Sequence, residues 1–118
     1  MWLANVQHVY VASHRVDFRK SYDGLLAECY HLGLNPFNGD AVLFIGRCRR
    51  RMKLLFGDQT GLWLASKRFN DESLKTSFKF LLDPSVEEVS MAELQMFIEG
   101  TKYRIEKRLK KRGDISLI

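Results

Sequence analysis

The residues of this sequence best suited to chemistry are basic side chains crowded into one short segment. Four arginines and one lysine fall within seven consecutive positions: Arg47, Arg49, Arg50, Arg51 and Lys53. Guanidinium groups bind phosphate oxygens through paired hydrogen bonds, and ammonium groups bind them as point charges. A two-stranded ribbon that carries guanidinium groups and an exposed indole, that of Trp63, suits phosphate contact with base stacking beside it. The segment predicts contact with nucleic acid, and the alternative is a solvated hairpin end with Trp63 in the core.

A second basic segment lies near the C-terminus. It holds seven basic residues and one acid, Glu106; the basic residues are Lys102, Arg104, Lys107, Arg108, Lys110, Lys111 and Arg112. At helical spacing these charges surround the axis, which suits phosphate contact without base recognition; a solvated tail is the alternative. Residues 69–99 carry seven acids and two lysines, and this acidic stretch could face a basic partner.

Catalytic groups are harder to assemble from this sequence. Cys29 and His31 are close, but no second Cys or His pair follows at the spacing of a zinc site. Cys29 lies on the apolar side of a predicted helix, which is typical of a core thiol. The acids are scattered near turns, without the convergence that a metal-dependent nuclease needs. We therefore predict no catalytic residue, no metal, no cofactor, no small-molecule ligand and no enzyme activity.

The hydrophobic pattern predicts an α+β fold that positions the basic segments. Alternating or continuous apolar runs predict four strands, over residues 8–12, 41–46, 51–56 and 62–68. We expect a small antiparallel sheet, made of a hairpin meander plus the N-terminal strand, with one packed helix and a C-terminal helical segment. Arg49, Arg51 and Lys53 would point to one side of their strand as a basic stripe. Whether Trp63 and Lys67 share that side depends on the register, which stays open.

Two helices are predicted from their ends. Apolar residues at helical spacing from Phe18 to Leu32 predict a helix that Asp17 caps and Gly33 ends. Ser90 and Glu93 form a capping box, in which each side chain accepts a hydrogen bond from the other residue's free amide.

Length and composition indicate one globular domain. The chain has 118 residues, of which 46% are hydrophobic and 28% charged, and its net charge of +5 favours polyanionic partners. The apolar runs fall short of the ~20 residues of a membrane span, and the first residues lack the pattern of a signal peptide. Two cysteines are too few for a disulfide scaffold. We therefore expect a reduced, cytoplasmic protein with no membrane partner.

An ordered string of motifs resembles one protein family. The motifs are Asp17-Phe-Arg-Lys20 with Asp23-Gly-Leu25, Asn35-Pro-Phe-Asn-Gly39, Val42-Leu-Phe-Ile-Gly-Arg47 running into Lys53-Leu-Leu-Phe56, and Asp58-Gln-Thr-Gly-Leu-Trp-Leu64 with Lys67-Arg68. The chain is similar, over roughly residues 6–103, to the TnpB accessory proteins of bacterial insertion sequences of the type called insertion sequence sixty-six. These are distinct from the RNA-guided nuclease of the same name. Ser90 to Gly100 is similar to that family's late helix.

The resemblance implies a non-catalytic protein that supports DNA transposition beside a separately encoded DDE-type transposase and a second small accessory protein. The family's recurring basic positions fall on Arg19-Lys20, Gly46-Arg47 and Lys67-Arg68, which makes these residues candidate DNA contacts. One TnpB-like domain over residues 1–103 and a basic extension over residues 104–118 are expected. The chain departs from the family at Leu55-Phe56, where an aromatic pair is frequent, and near Phe78-Lys-Phe80, where Trp-Pro is common.

Two functions fit these features. The first is DNA binding through the arginine-rich hairpin, in the bacterial cytoplasm at the nucleoid. The alternative is a protein-interaction module that docks on the transposase without direct DNA contact. A third option is a relic of a decayed element.

Overall fold

The computed structural model of the protein describes residues 3–12, 16–46, 50–70 and 86–99. Five strands form one sheet: β1 (His8–Ala12), β2 (Asp40–Ile45), β3 (Arg51–Gly57), β4 (Leu62–Arg68) and β5 (Val86–Val89). The helices are α1 (Tyr22–His31), α2 (Met91–Glu99) and a short 3₁₀ helix, Pro36–Asn38. The predicted α+β class is confirmed. The proposed boundary between residues 103 and 104 lies outside the described residues and stays a prediction.

The strand order across the sheet is β4-β3-β2-β1-β5. β2, β3 and β4 form the predicted antiparallel meander. The sheet as a whole is mixed, because β1 pairs with β2 in parallel. A parallel pair needs a long crossover connection, and α1 lies within the one that joins these two strands. β5, which the sequence analysis did not predict, pairs antiparallel with the outer side of β1.

Each face of the sheet packs against one helix. On the face that we call the α1 face, Leu25 and Cys29 of α1 are buried in one apolar cluster with Leu55 of β3. On the opposite face, the α2 face, Leu94 and Phe97 of α2 are buried in a second cluster with the neighbouring sheet residues. Successive strand residues point to opposite faces, so one strand supplies both clusters.

The helix ends differ in how well the sequence predicted them. The capping box is confirmed: the Glu93 amide donates to Ser90 Oγ at 3.0 Å, and the Ser90 amide donates to Glu93 Oε1 at 2.9 Å. The predicted cap at Asp17 is wrong, because Ser21 holds the N-cap position of α1. Asp17 instead accepts a hydrogen bond from the Arg19 amide in a turn before the helix. Gly33 follows the helix with φ of 76°, which suits a glycine stop.

Helix α2 connects the two edges of the sheet. It begins directly after β5 at one edge, and near its end the Ile98 carbonyl accepts a hydrogen bond from Lys67 Nζ of β4 at 2.7 Å. The helix therefore crosses the α2 face and delivers the chain to the opposite edge. Within the described residues, no helix is long and apolar enough to span a membrane.

Candidate nucleic-acid interface

Two arginines lie side by side where β3 begins and β4 ends. Arg51 and Arg68 are direct partners in the antiparallel register, so both side chains point to the α1 face. Both are exposed. Within the described part of the chain, neither guanidinium meets a carboxylate, since the ion pairs there join other residues. This end of the sheet therefore presents two neighbouring positive charges that no acid among the described residues compensates.

Arg50 and Lys67 extend this charge toward the α2 face. The Phe69 amide donates to the Arg50 carbonyl at 2.6 Å, which continues the pairing of β3 with β4 by one step. The Arg50 side chain donates from Nη2 to the Asn70 carbonyl at 3.0 Å. Lys67 Nζ lies 4.6 Å from the centre of the Phe69 ring and, as noted, bonds to α2.

We call this group the basic corner of the sheet. Its members are exposed and carry positive charge at one end of edge strand β4: Arg50, Arg51, Lys67 and Arg68. Carbonyl oxygens hold two of them in place without neutralising their charge.

Lys53, another predicted DNA contact, is held inside the fold. Its ammonium donates to the carbonyl oxygens of Phe18 at 2.8 Å and Lys20 at 2.9 Å, and lies 5.2 Å from the centre of the Phe18 ring. The next residue on the same face of β3, Leu55, is fully buried under α1. Of the expected basic stripe of Arg49, Arg51 and Lys53, only Arg51 is therefore an exposed cation among the described residues.

The predicted contacts Arg19 and Lys20 are both paired with acids. The Arg19 guanidinium donates to both carboxylate oxygens of Asp17, with a shortest distance of 2.7 Å, and these side-chain hydrogen bonds lower the pKa of Asp17 to about 2. Lys20 Nζ lies 2.6 Å from Glu28 Oε1. A cation that is paired with an acid contributes less to the positive electrostatic potential around the protein. Arg19 and Lys20 are therefore weaker candidates for DNA contact than the residues of the basic corner.

Trp63 lies on the opposite face from Arg51. It is the direct partner of Phe56, whose ring is nearly parallel to the indole at 6.2 Å between centres. Its Nε1 donates to Asp58 Oδ2 at 2.9 Å, and half of its surface is exposed. Hydrogen bonds from the Thr60 amide, and to a smaller extent from this indole, lower the pKa of Asp58.

The register of β3 and β4 places Trp63 and Lys67 together on the α2 face. They therefore do not share the face of Arg51, a point that depended on the register and that the sequence left open.

The remaining predicted contacts lie outside the described residues. They are Arg47 and Arg49 of the first segment and, in the second, Lys102, Arg104, Lys107, Arg108, Lys110, Lys111 and Arg112.

Nucleophile and metal chemistry find little support among the described side chains. Cys29 is fully buried, and burial, with smaller contributions from Asp40 and Glu28, raises the pKa of its thiol to about 12. A thiol in this state is a poor nucleophile. In the described ranges, no group of three His, Cys, Asp or Glu residues could hold a metal ion.

Two residues that support the basic corner were missed by the sequence analysis. Asn70 and Ile98 act through their main-chain carbonyls, on partners 20 and 31 residues away. No side-chain type marks a carbonyl acceptor, so only the strand register and the course of α2 could have revealed them.

The sequence was compared with protein families, curated proteins and solved structures. A protein-family model described as "IS66 Orf2 like protein" matches residues 7–108. Searches of curated proteins and of solved structures find no match. The matched range includes all five strands, both helices and the basic corner, and it agrees with the family resemblance of the motifs. The chain therefore belongs to the IS66 Orf2-like family and is a protein associated with an insertion sequence.

Proposed function

We propose that this protein binds DNA as a non-catalytic accessory factor of transposition, with the basic corner contacting backbone phosphates. The observation that carries the proposal is the direct opposition of Arg51 and Arg68. Like charges opposed on neighbouring strands destabilise a sheet by about 0.2–1 kcal/mol. A phosphate bound between the two guanidinium groups would supply the counter-charge that is missing from the described residues.

The sequence adds a second argument. The C-terminal basic segment holds seven basic residues and one acid between residues 102 and 112. A chain with two such basic segments suits contact with a nucleic-acid backbone.

Binding of this type is governed by phosphates rather than by bases. Each neutralised phosphate releases condensed counterions. The logarithm of the association constant therefore falls against the logarithm of the salt concentration, with a slope of about −0.9 for each phosphate contact. Four contacts from the basic corner would lower the affinity roughly 150-fold between 50 and 200 mM salt. Such contacts fix position on DNA, and sequence recognition would need further base contacts.

Fluorescence anisotropy tests the proposal. Labelled duplexes carrying the terminal repeat of the insertion sequence, or a scrambled sequence of equal length, are titrated at several salt concentrations. We expect salt-sensitive binding, and the double variant Arg51→Ala with Arg68→Ala should reduce the magnitude of the salt slope by about 2 on both duplexes. Binding that prefers the terminal repeat would add end recognition to the proposal.

Arg19→Ala is the matched control, because Arg19 is exposed but already paired with Asp17. It should change the slope less than either corner substitution does. Equal affinity and equal slope for the wild type and the double variant would remove the basic corner as the contact. Absence of binding at low salt would remove the DNA function itself.

A second candidate function is docking on the transposase or on the second accessory protein of the element. The exposed acids Glu87 and Glu88 on β5 favour it, because they could face a basic surface. Co-purification with the transposase that persists after nuclease treatment would support this function, and loss of the complex would indicate that DNA bridges the two proteins. Either function would place the protein in the bacterial cytoplasm, and DNA binding would place it at the nucleoid.

A further inference from the structure

We propose that copies of this protein associate head to tail through their sheets, with strand β4 of one copy beside strand β5 of the next. This inference goes beyond DNA binding and does not depend on it. It rests on the charges, directions and faces of the two edge strands.

Both edges of the sheet offer main-chain groups for pairing. Among the described strands, β4 and β5 each have a neighbour on one side only. The amide and carbonyl groups on the other side of such strands form a template for a further strand. Self-association by strand addition therefore requires no rearrangement of the described strands.

The two edges carry opposite charges. β4 ends in three exposed residues, Ser66, Lys67 and Arg68, and β5 exposes Glu87 and Glu88. Glu88 contacts His8 Nδ1 at 2.9 Å, and the Glu87 carboxylate points to the opposite face, where Val11 is its strand partner. Two β4 edges repel each other, and so do two β5 edges. Only the unlike edges attract, which selects a head-to-tail arrangement.

Strand directions also fit this arrangement. β4 runs antiparallel to β3, which runs antiparallel to β2, so β4 has the direction of β2 and of its parallel neighbour β1. β5 runs opposite to β1 and hence opposite to β4. A second copy placed in the same orientation therefore brings β5 to β4 as an antiparallel pair.

The faces of the charged side chains match as well. Lys67 lies opposite Met52 and Glu87 opposite Val11, which places both on the α2 face. Arg68 lies opposite Arg51 and Glu88 opposite Tyr10, which places both on the α1 face. In the register that sets Lys67 against Glu87, Arg68 is the diagonal neighbour of Glu88. Each cation then meets an acid on its own face.

The size of the contact determines its strength. β5 has only four residues, so the new ladder is short and the association is weak. A head-to-tail contact leaves one free edge at each end, so growth continues beyond the dimer.

Sedimentation velocity of the full chain, without DNA and at low salt, tests the proposal. We expect the average mass to rise with protein concentration past that of a dimer. Glu87→Lys should weaken the association roughly tenfold, and Lys67→Glu should do the same. An equimolar mixture of these two variants should recover the assembly, because each mixed contact again pairs a lysine with an acid.

Asp23→Lys is the matched control, because it reverses an exposed acid that belongs to helix α1 and to neither edge strand. It should leave the association unchanged. If Lys67→Glu unfolds because its bond to Ile98 is lost, Arg68→Glu with Glu88→Lys serves as the complementary pair. A monomer at every concentration, an assembly that stops at the dimer, or a Glu87→Lys variant that assembles normally would overturn the proposal. Because DNA is absent, none of these results depends on the proposed DNA function.

Discussion

The ammonium nitrogen of Lys53 lies 2.8 Å from the carbonyl oxygen of Phe18. The same ammonium reaches the Lys20 carbonyl at 2.9 Å, so one strand residue holds the segment that leads into α1. Three donors on one ammonium suit this arrangement, in which two carbonyl oxygens would otherwise lose water as α1 packs on the sheet. A lysine in a basic segment can therefore stabilise the fold, by donating hydrogen bonds to main-chain carbonyls of another element.

Replacement of Lys53 by methionine should reduce the free energy of unfolding by about 2 kcal/mol, because hydrogen bonds to a charged group are lost at a half-buried site. Urea denaturation measures the change. Arg51→Met is the control at an exposed position of the same strand, where loss of the like-charge contact with Arg68 should stabilise the protein by no more than about 0.5 kcal/mol. Equal effects of the two substitutions would contradict the structural role of Lys53.

Replacement of Arg68 by threonine should stabilise the protein by about 0.5 kcal/mol while weakening DNA binding, because it removes a like-charge pair across two strands. Thermal or urea unfolding gives the stability, and the anisotropy titration gives the affinity. Arg19→Thr, which breaks an ion pair instead, should produce no stabilisation. A destabilised Arg68→Thr variant would show that the two arginines are compensated in the folded protein.

Protonation of Asp58 should be visible at Trp63. The pKa of Asp58 is lowered from its usual 3.8 by hydrogen bonds from the Thr60 amide and the Trp63 indole. Because the folded-state pKa is depressed, the stabilisation is fully present above pH 3.8 and is lost as the pH falls through the lower folded value. The nuclear magnetic resonance signal of the Trp63 indole N–H should therefore titrate with a midpoint below 3.8.

Asp58→Asn is the control for that titration, since its side chain keeps an acceptor for the indole but has no carboxyl to protonate. The shift should then be absent from the indole signal. A wild-type midpoint above the usual value would contradict the hydrogen bonds at Asp58.

The capping box at α2 should contribute measurably to stability. Ser90→Ala removes the hydroxyl that accepts from the Glu93 amide and should reduce the free energy of unfolding by about 1 kcal/mol. Ser66→Ala, at an exposed position of β4, serves as the control. If both serine variants unfold at the same urea concentration as the wild type, the capping box does not contribute to the free energy of unfolding, which contradicts the prediction.

Local patterns in the sequence predicted local structure well. The meander strands, the N-terminal strand and the capping box depend on residues within a few positions of each other, and all are present. β5 escaped prediction because Val86-Glu-Glu-Val89 is short and half charged, and a strand of this kind is fixed by its partner β1. The cap at Asp17 was wrong because a carboxylate can equally bond a nearby turn amide, here that of Arg19.

Long-range relationships decided the candidate site, and the sequence could not supply them. A shift of one residue in the register would move Arg68 to the opposite face, so its opposition to Arg51 required the paired strands. The contacts of Lys53 with residues 33 and 35 positions away likewise depend on how α1 packs. Composition therefore predicted a basic surface. The described fold shows that Arg51 and Arg68 are exposed on it, whereas Lys53 bonds to main-chain carbonyls inside the molecule.

The place of β1 in the sheet has a consequence for the newly made chain. His8 and Glu88 lie side by side although 80 residues separate them. At a synthesis rate of about 5–20 residues per second, the ribosome releases β1 about 4–16 s before β5. The β2–β3–β4 meander that bears the basic corner can form during that interval, while β1 still lacks its partner strand β5. A message cut short before β5 would yield a protein that keeps Arg51 and Arg68 but aggregates through its first strand.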